Sequence, residues 1–371
     1  MIRQLLGAVR KLRVKCSSMA DEKATVEFSR VDAEVRKGSP FWDAPLDIQD
    51  AGLENVSLTD ETSPVQRVES QGIIPGFDVP RLARRHAECI QQVADYISAC
   101  LGSFNPREAR FQHGPGAVSD RPFSSHKYDF ENWPSRLDRV FPMEEFACAN
   151  YSVWEETTLY KTPRWISEKE YPAKLHCVPK TISTPRLIAA EPTSLQWCQQ
   201  SIRNFLYDRV GRTVIGSFVD FRRQELNGAL ALEASHTGKH CTIDLSSASD
   251  RISCWLVERL FRRSPSLLDA FRATRSLYIR QDITGILPRY IYLRKFSTMG
   301  NAVTFPVQSL ILLSITLGSL FYIRGQRVST ENLKKLGRKQ VRVFGDDIIV
   351  PKDCAGATIS ALEAFGLKVN S

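Results

Sequence analysis

The chain has 371 residues, of which 43% are hydrophobic and 25% are charged, so it can bury a large core spread over two or three subdomains. Its formal net charge of +9 favours a polyanionic partner such as nucleic acid. The nine cysteines form no C-x-x-C pair, which argues against a zinc site and a disulfide framework and indicates reduced thiols.

The first twenty residues are basic and contain no acidic residue, with apolar side chains near helical spacing. A transit peptide or a membrane-surface helix has this pattern. We favour the alternative, a basic helix that packs on the body of the protein or contacts RNA. Residues 17–75 are polar and weakly periodic, and we expect them to be loosely folded or extended.

Recurring apolar residues predict helices over residues 79–102 and 194–209. Between them, residues 127–170 carry many aromatic side chains among charged ones, a pattern that suits either base stacking or core packing. In residues 171–192, Lys180 and Arg186 punctuate β-type runs. Basic side chains on extended structure can hold phosphates, although a solvated charged face has the same pattern.

Residues 239–250, KHCTIDLSSASD, predict a strand that ends at Asp244. Ser249 or Asp250 can cap the helix that follows, through Arg263. A carboxylate at the end of a buried strand can hold a metal ion or simply cap a helix. A hairpin is predicted over residues 283–297.

Residues 296–323 contain no charged side chain, which by length makes them a transmembrane candidate. Polar residues such as Gln308, Ser314 and Thr316 interrupt the run. We therefore expect a helix buried under a sheet and no association with a membrane.

Residues 341–351, VRVFGDDIIVP, predict a β-hairpin whose tip carries Asp346 and Asp347. Adjacent carboxylates repel one another by roughly 4 kcal/mol at 4 Å and an effective dielectric constant near 20. The adjacent carboxylates suggest a cation site, but Gly345-Asp346-Asp347 equally suits an ordinary surface turn, and both interpretations stay open at this point. Nucleotidyl transfer gives a reason to unite this pair with Asp244, since two magnesium ions about 4 Å apart activate the attacking hydroxyl and stabilise the leaving pyrophosphate.

Three segments together resemble motifs A, B and C of RNA-dependent RNA polymerases: DLSSASD (244–250), STMGNAVTFPVQS (297–309) and VFGDD (343–347). They are most similar to the replicase catalytic (beta) subunit of levivirus-like positive-strand RNA bacteriophages. VPKTISTPRLIAAEP (178–192) is similar to the nucleotide-entry motif of that family, and HGPGAV (113–118) resembles an element of its N-terminal half.

The resemblance implies site residues at matching positions. Asp244 and Asp346 would be catalytic metal-binding residues, with Asp347 as an auxiliary catalytic ligand. Asp250 and Asn301 would select ribose through its 2′-hydroxyl, a group that both donates and accepts hydrogen bonds.

Further positions in the same motifs would contact substrate. Lys180 and Arg186 would hold the incoming triphosphate, and Thr304 would belong to the nucleotide-binding set. Gly300 would let the backbone approach the template and primer closely.

The fold implied is α+β, a right-hand polymerase with an antiparallel palm sheet backed by helices and a fingers region. We expect an N-terminal extension (1–75), fingers with the nucleotide-entry motif (76–240) and a palm with motifs A, B, C and part of D (241–371). The implied cofactors are two Mg²⁺ ions, for which Mn²⁺ can substitute. The implied partners are template RNA, ribonucleoside triphosphates and host elongation factors Tu and Ts, in the cytoplasm of a bacterium.

After Asp347 the sequence predicts a helix over residues 355–365 and a strand over residues 367–370, as in motif D. Lys368 is the candidate for the lysine of that motif. The thumb of the family has no counterpart here, so we expect the chain to be incomplete at its C-terminal end.

Two alternatives stay open. The first is the RNA polymerase of a narnavirus or ourmia-like virus, whose motifs are related. The second is a non-catalytic palm and fingers fragment that binds RNA without chemistry. A reverse transcriptase is disfavoured, because those enzymes usually carry a hydrophobic residue or alanine at the position of Gly345.

Overall fold

A computed structural model gives the fold of the chain. The structure describes residues 15–35, 82–121, 127–128, 130, 132–147, 155, 166–167, 170–181, 184–337 and 340–370. The predictions for residues 1–14 and 36–81 lie outside the described residues and stay predictions.

Helices and short sheets alternate along the chain, which confirms the α+β class. The helices are α1 (Ser18–Glu34), α2 (Arg84–Leu101), α3 (Ser135–Asp138), α4 (Met143–Phe146), α5 (Thr193–Gly211), α6 (Glu225–Thr237), α7 (Cys254–Leu260), α8 (Pro265–Thr274), α9 (Thr304–Ile323), α10 (Thr330–Leu336) and α11 (Ala355–Ala364). The strands are β1 (Trp133–Pro134), β2 (Ile166–Ser167), β3 (Ala173–Pro179), β4 (Pro185–Ala190), β5 (His240–Ile243), β6 (Leu245–Ser246), β7 (Tyr278–Arg280), β8 (Tyr290–Tyr292), β9 (Arg342–Phe344), β10 (Asp347–Pro351) and β11 (Lys368–Val369). Short 3-10 turns lie at Pro106–Glu108, Val214–Ser217, Ser249–Arg251 and Lys352–Cys354.

A three-stranded antiparallel sheet of order β5-β10-β9 lies at the centre of the fold. Ile348 of β10 pairs with Ile243 of β5 on one side and with Val343 of β9 on the other. All three side chains are buried, and β-branched residues suit such a packed sheet. The predicted strand before Asp244 and the predicted hairpin over residues 341–351 are both confirmed.

Helix α9 is the core of the molecule. Every residue from Thr304 to Phe321 is buried except Phe305. The helix is long and apolar enough to cross a membrane by length and composition, but 89% of its most apolar 18-residue window is buried inside the protein. The expected buried helix is therefore confirmed.

Helix α2 packs against α9 at backbone contact. A Cβ atom on Gly318 would lie 2.4 Å from the Cα atom of Ile90, so only glycine permits this approach. Nearby, the His86 Nε2 atom lies 2.8 Å from Ser319 Oγ, and its ring stacks on Tyr322 with 4.5 Å between centroids. Burial lowers the pKa of His86 to about 4, so the imidazole is neutral at pH 7.

A second sheet has the order β4-β3-β7-β8 and supports helix α1. Phe28 of α1 packs in a buried cluster with Ala173 of β3, Ala189 of β4 and Ile279 of β7. The expectation of a loose or extended chain over residues 17–75 is therefore wrong for its first part, where α1 forms a regular helix.

The local chemistry of α1 explains both its formation and the failure to predict it. The Ser17 hydroxyl caps the helix by accepting the Ala20 N–H at 3.2 Å. Its buried face includes the polar residues Thr25 and Asp32 beside the apolar ones. Because two of the buried positions are polar, the apolar periodicity that normally reveals an amphipathic helix is weak.

Two further boundaries differ from the sequence predictions. The hairpin expected over residues 283–297 has its strands at Tyr278–Arg280 and Tyr290–Tyr292, because the connection between them is long. The cap of α7 is Ser253, whose hydroxyl accepts the Leu256 N–H at 3.1 Å, in place of Ser249 or Asp250. Those two residues lie in a separate 3-10 turn.

Candidate active site

The three aspartates of motifs A and C meet at one end of the central sheet. Asp244 directly follows β5, while Asp346 occupies the hairpin turn and Asp347 begins β10. Because Ile348 pairs with Ile243, the next position along each strand brings Asp347 beside Asp244. All three residues are exposed. Strand register thus unites the carboxylates that are far apart in sequence.

The turn that presents Asp346 rests on the first turns of α9. Gly345 has a φ of +63°, which favours glycine, at the first position of the two-residue hairpin loop. Its N–H donates to Ser309 Oγ at 3.0 Å, in a buried contact. A Cβ atom at Gly345 would lie 3.0 Å from the Phe305 ring. These contacts with the buried helix α9 therefore fix the position of the hairpin tip.

The carboxylates are coupled by their charges. Partial burial raises the pKa of Asp347, and the negative charges of Asp346 and Asp244 raise it further. A hydrogen bond from the Gln224 side chain acts in the opposite direction. Asp346 and Asp347 therefore differ in surroundings, since Asp347 is hydrogen-bonded to the side chain of Gln224 at the start of α6.

Asn370 orients Asp244. Its Nδ2 atom donates to Asp244 Oδ2 at 2.6 Å, and its backbone N–H donates to the Asp244 carbonyl at 3.0 Å. Ser246 Oγ in turn donates to Asn370 Oδ1. The predicted strand over residues 367–370 is present as β11, paired with β6. No local pattern in the sequence indicates this role, because strand pairing brings the partners together.

A cavity of about 1080 Å³ opens beside these carboxylates. Eight of the nine predicted site residues line it, and Asp347 is the exception. They are Lys180, Arg186, Asp244, Asp250, Gly300, Asn301, Thr304 and Asp346. Helix α1 contributes a further wall, which includes Lys23, Glu27 and Phe28. The volume is large enough for a nucleotide-sized ligand.

Two basic residues lie on the hairpin of β3 and β4 at the cavity. Arg186 pairs with Val178 across the hairpin, and Lys180 directly follows β3, where its N–H donates to the Thr184 carbonyl at 3.3 Å. Both side chains are exposed. Their positive charges suit the binding of an anionic group such as a phosphate.

The loop before α9 is locked to strand β4. Gly300 has a φ of +116°, and a Cβ atom there would lie 1.9 Å from the Ala189 carbonyl oxygen. The Ala189 N–H donates to the Met299 carbonyl at 2.7 Å. The close approach that glycine permits is therefore to the protein's own backbone, while the predicted approach to template and primer stays a prediction.

Asn301 and Thr304 use their polar groups within the protein. Asn301 Oδ1 accepts the Val303 N–H at 2.9 Å, and the Asn301 side chain hydrogen-bonds the buried carboxyl of Glu191. Burial nonetheless raises the pKa of Glu191. Thr304 Oγ1 donates to the Thr298 carbonyl at 2.7 Å. Both predicted residues line the cavity, and both also shape the loop that forms its floor.

Asp250 lies in the 3-10 turn that follows β6, and its partner is a buried lysine. Its Oδ1 atom accepts a hydrogen bond from Lys295 Nζ at 2.9 Å. The Lys295 side chain is 0% exposed and that of Asp250 is 19% exposed. Lys295 was missed by sequence reasoning, since it precedes motif B without any spacing that marks it.

The part of the cavity at Asp244 and Asp346, with Asp347 beside them, is called the aspartate end. Its chemistry suits a hard divalent cation. Its donors are carboxylate oxygens, and partial burial together with the negative charges of Asp346 and Asp244 raises the pKa of Asp347. Among the described residues, no group of three or more His, Cys, Asp or Glu is arranged to hold a metal ion by itself. Magnesium is usually bound by one or two carboxylates together with substrate phosphates, so the arrangement fits a site that a nucleotide completes.

Comparisons with known proteins bear on the identity of the chain. The family described as RNA replicase, beta-chain matches residues 83–371. The RNA-directed RNA polymerase subunit beta of Qbeta virus (strain MX1) is 29% identical over 291 residues, which are 76% of this chain and 44% of that protein. The RNA-directed RNA polymerase beta chains of Enterobacteria phage fr and Escherichia phage MS2 are 33% and 32% identical, and each match covers 52% of this chain and 31% of the relative.

The chain thus spans less than half the length of these three relatives. The family match includes all nine predicted site residues and most of the chain. It agrees with the resemblance of motifs A, B and C to levivirus replicases. The chain belongs to the RNA replicase beta-chain family.

Proposed function

We propose that this chain carries the fingers and palm of an RNA-directed RNA polymerase that replicates the positive-strand RNA genome of a levivirus-like phage. One observation carries the proposal: carboxylates from two distant motifs and two basic side chains line a single cavity. The relatives are named as RNA-directed RNA polymerase subunits, which supports the same reaction class. The palm corresponds to residues 241–371 and the fingers to residues 76–240, and we assign no thumb among the described residues.

The basic end of the cavity would receive the substrate phosphates. Lys180 and Arg186 would pair with the triphosphate, and the bidentate geometry of a guanidinium suits phosphate oxygens. Asp250 also lines the cavity, and its carboxylate can accept a hydrogen bond from a ribose 2′-hydroxyl.

The aspartate end would hold two magnesium ions. Asp244 and Asp346 would be their ligands, with Asp347 as an auxiliary ligand. When bound, the ions supply activation of the 3′-hydroxyl and stabilisation of the leaving pyrophosphate. The chain's own contribution is to hold the carboxylates rigidly, through the contact of Gly345 with Ser309 and the bonds of Asn370 to Asp244.

Further partners follow from the family. The description of the family as a replicase beta-chain supports a subunit of a larger replicase. We infer that the partners are template RNA, ribonucleoside triphosphates and the host elongation factors Tu and Ts. The relatives come from bacteriophages, which supports action in the cytoplasm of a bacterial host.

Substitution of Asp346 by Asn tests the proposal. The variant loses a charge at the proposed metal site, so template-directed incorporation of ribonucleotides should fall by at least about 10²-fold, while RNA binding measured by filter retention stays within about twofold. Asp269→Asn is the matched control, since Asp269 lies on α8 with an exposed side chain paired to Arg272. Incorporation that survives in Asp346→Asn would contradict the proposed function.

A wild-type chain that binds RNA but incorporates no nucleotide would support the non-catalytic alternative. Binding through phosphate contacts should weaken steeply as the salt concentration rises.

A further inference from the structure

Lys295 is a fully buried cation directly behind Asp250. Its Nζ atom donates to Asp250 Oδ1 at 2.9 Å and lies 3.2 Å from the centroid of the Phe28 ring. Burial lowers the pKa of Lys295, whereas the charges of Asp250 and Asp32 act to raise it. The ammonium group is thus held between a carboxylate that faces the cavity and an aromatic face of α1.

Helix α1 fixes the backbone that carries this lysine. Both oxygens of Asp32 are used, accepting the N–H groups of Arg294 and Lys295 at 3.0 Å each. Asp32 is itself buried. On the other side, Glu34 pairs with Arg251 at 2.9 Å, next to Asp250 in the chain. Helix α1 therefore holds the backbone of Lys295 directly and the segment that carries Asp250 through Arg251.

Stability alone does not account for a buried lysine at this position. Replacing a buried ion pair with packed apolar side chains is often neutral or stabilising, because removing two charges from water is costly. The pair does, however, restrict Asp250 to one orientation. Within the described part of the chain, its second oxygen, Oδ2, makes no hydrogen bond, and the side chain is open to the cavity.

We propose that Lys295 is a positioning residue for ribose selection, which holds Asp250 so that its second oxygen can accept a hydrogen bond from the nucleotide 2′-hydroxyl. Helix α1 contributes to this positioning through Phe28, which contacts the ammonium group, and through Asp32, which accepts the backbone N–H of Lys295. The inference rests on the proposed function, and in particular on a ribonucleotide in the cavity. It adds a residue outside motifs A, B and C to the determinants of sugar specificity.

Lys295→Met is the principal test, because methionine keeps an unbranched apolar side chain against Phe28 and removes the charge. Equilibrium binding of GTP and of 2′-deoxy-GTP is measured in the presence of magnesium and template RNA, together with the ratio of incorporation of the two nucleotides. We expect the preference for GTP to fall by about 10- to 100-fold, with 2′-deoxy-GTP little affected. Lys334→Met is the matched control, since Lys334 is exposed on α10.

Two results would overturn the inference. One is an unchanged preference for GTP in Lys295→Met, and the other is an equal loss for both nucleotides, which would indicate general support of the fold. If the wild-type chain itself shows no preference and no incorporation, the proposed function fails instead, so the two failures are distinguishable.

Asp32→Asn provides a second variant if Lys295→Met does not fold. It keeps one carbonyl oxygen for the backbone N–H groups but loses the other acceptor, so the lysine is held less firmly. The preference for GTP should fall in the same direction and by less, about threefold to tenfold. A folded Asp32→Asn chain with wild-type preference would show that α1 plays no part in positioning.

Discussion

The two ends of the cavity are built in different ways. The aspartate end (Asp244 and Asp346, with Asp347 beside them) is held by neighbouring strands of one sheet and by the first turns of the buried helix α9. The lysine end (Asp250 with Lys295 behind it) is held by an ion pair and by a helix from the N-terminal part of the chain. Strand register secures the first end, whereas the second depends on contacts between segments that are remote in sequence.

This difference predicts different sensitivities. A substitution at the backbone contact of Gly300 with Ala189, where the loop before α9 meets β4, should destabilise both ends. Damage to the support of one end should weaken its own chemistry and leave the other intact.

Gly300→Ala should have the largest effect, because it disrupts the backbone contact between the loop before α9 and strand β4. The new Cβ atom would collide with the Ala189 carbonyl at 1.9 Å, at a φ of +116° that alanine rarely adopts. We expect the free energy of unfolding in urea to fall by at least about 3 kcal/mol. Gly116→Ala is the control, since a Cβ atom there meets nothing within 4 Å. A Gly300→Ala chain as stable as the control would show that the loop is not locked to β4.

Ser309→Ala should have an intermediate effect, confined to the aspartate end. It leaves the buried Gly345 N–H without its acceptor at the hairpin tip. The free energy of unfolding should fall by about 1–3 kcal/mol, and nucleotide incorporation should fall while the preference for ribose persists. Ser314→Ala is a close control, because that buried hydroxyl of α9 donates to the Leu310 carbonyl of its own helix. Equal losses in both variants would contradict a specific role for Ser309.

Asn370→Ala should have the smallest effect on stability, and its effect on the site should come through Asp244. The substitution removes the amide that donates to Asp244 Oδ2 at 2.6 Å. Loss of such an orienting partner typically weakens metal affinity by about 10-fold or more, so the magnesium concentration at half-maximal incorporation should rise by that factor. Asn332→Ala, on α10, serves as the control. An unchanged magnesium dependence would separate Asn370 from the proposed metal site.

The same contrast explains how much of the site could be predicted from the sequence. The hairpin tip, the strand before Asp244 and the helix α9 follow from local patterns of apolar and turn residues, and the structure has all three. Their union in one cavity was expected from the motifs. The boundaries of the hairpin at Tyr278–Tyr292 and the cap at Ser253 were missed because several serines and long connections satisfy the same local rules.

The lysine end could not have been found in this way. Lys295 follows Arg294 in a short basic pair that has no distinguishing pattern, and only tertiary structure shows that Lys295 is buried. Helix α1 hides its amphipathic character because Asp32 and Thr25 lie on its buried face. Asn370 likewise gains its role from strand pairing. Polar residues that are buried for a purpose break the patterns by which sequence predicts structure.

The close packing of α2 on α9 also bears on how the molecule is made. Residues 84–101 leave the ribosome long before residues 304–323, which must cover them down to backbone contact at Gly318 and Ile90. Contacts so distant in sequence form slowly, and the apolar face of α2 stays without its native cover until α9 is synthesised. Because Gly345 packs on α9 and follows it in the chain, the aspartate end of the cavity also depends on α9 having been synthesised. Synthesis of α9 is therefore needed both to cover the apolar face of α2 and to assemble the proposed catalytic centre.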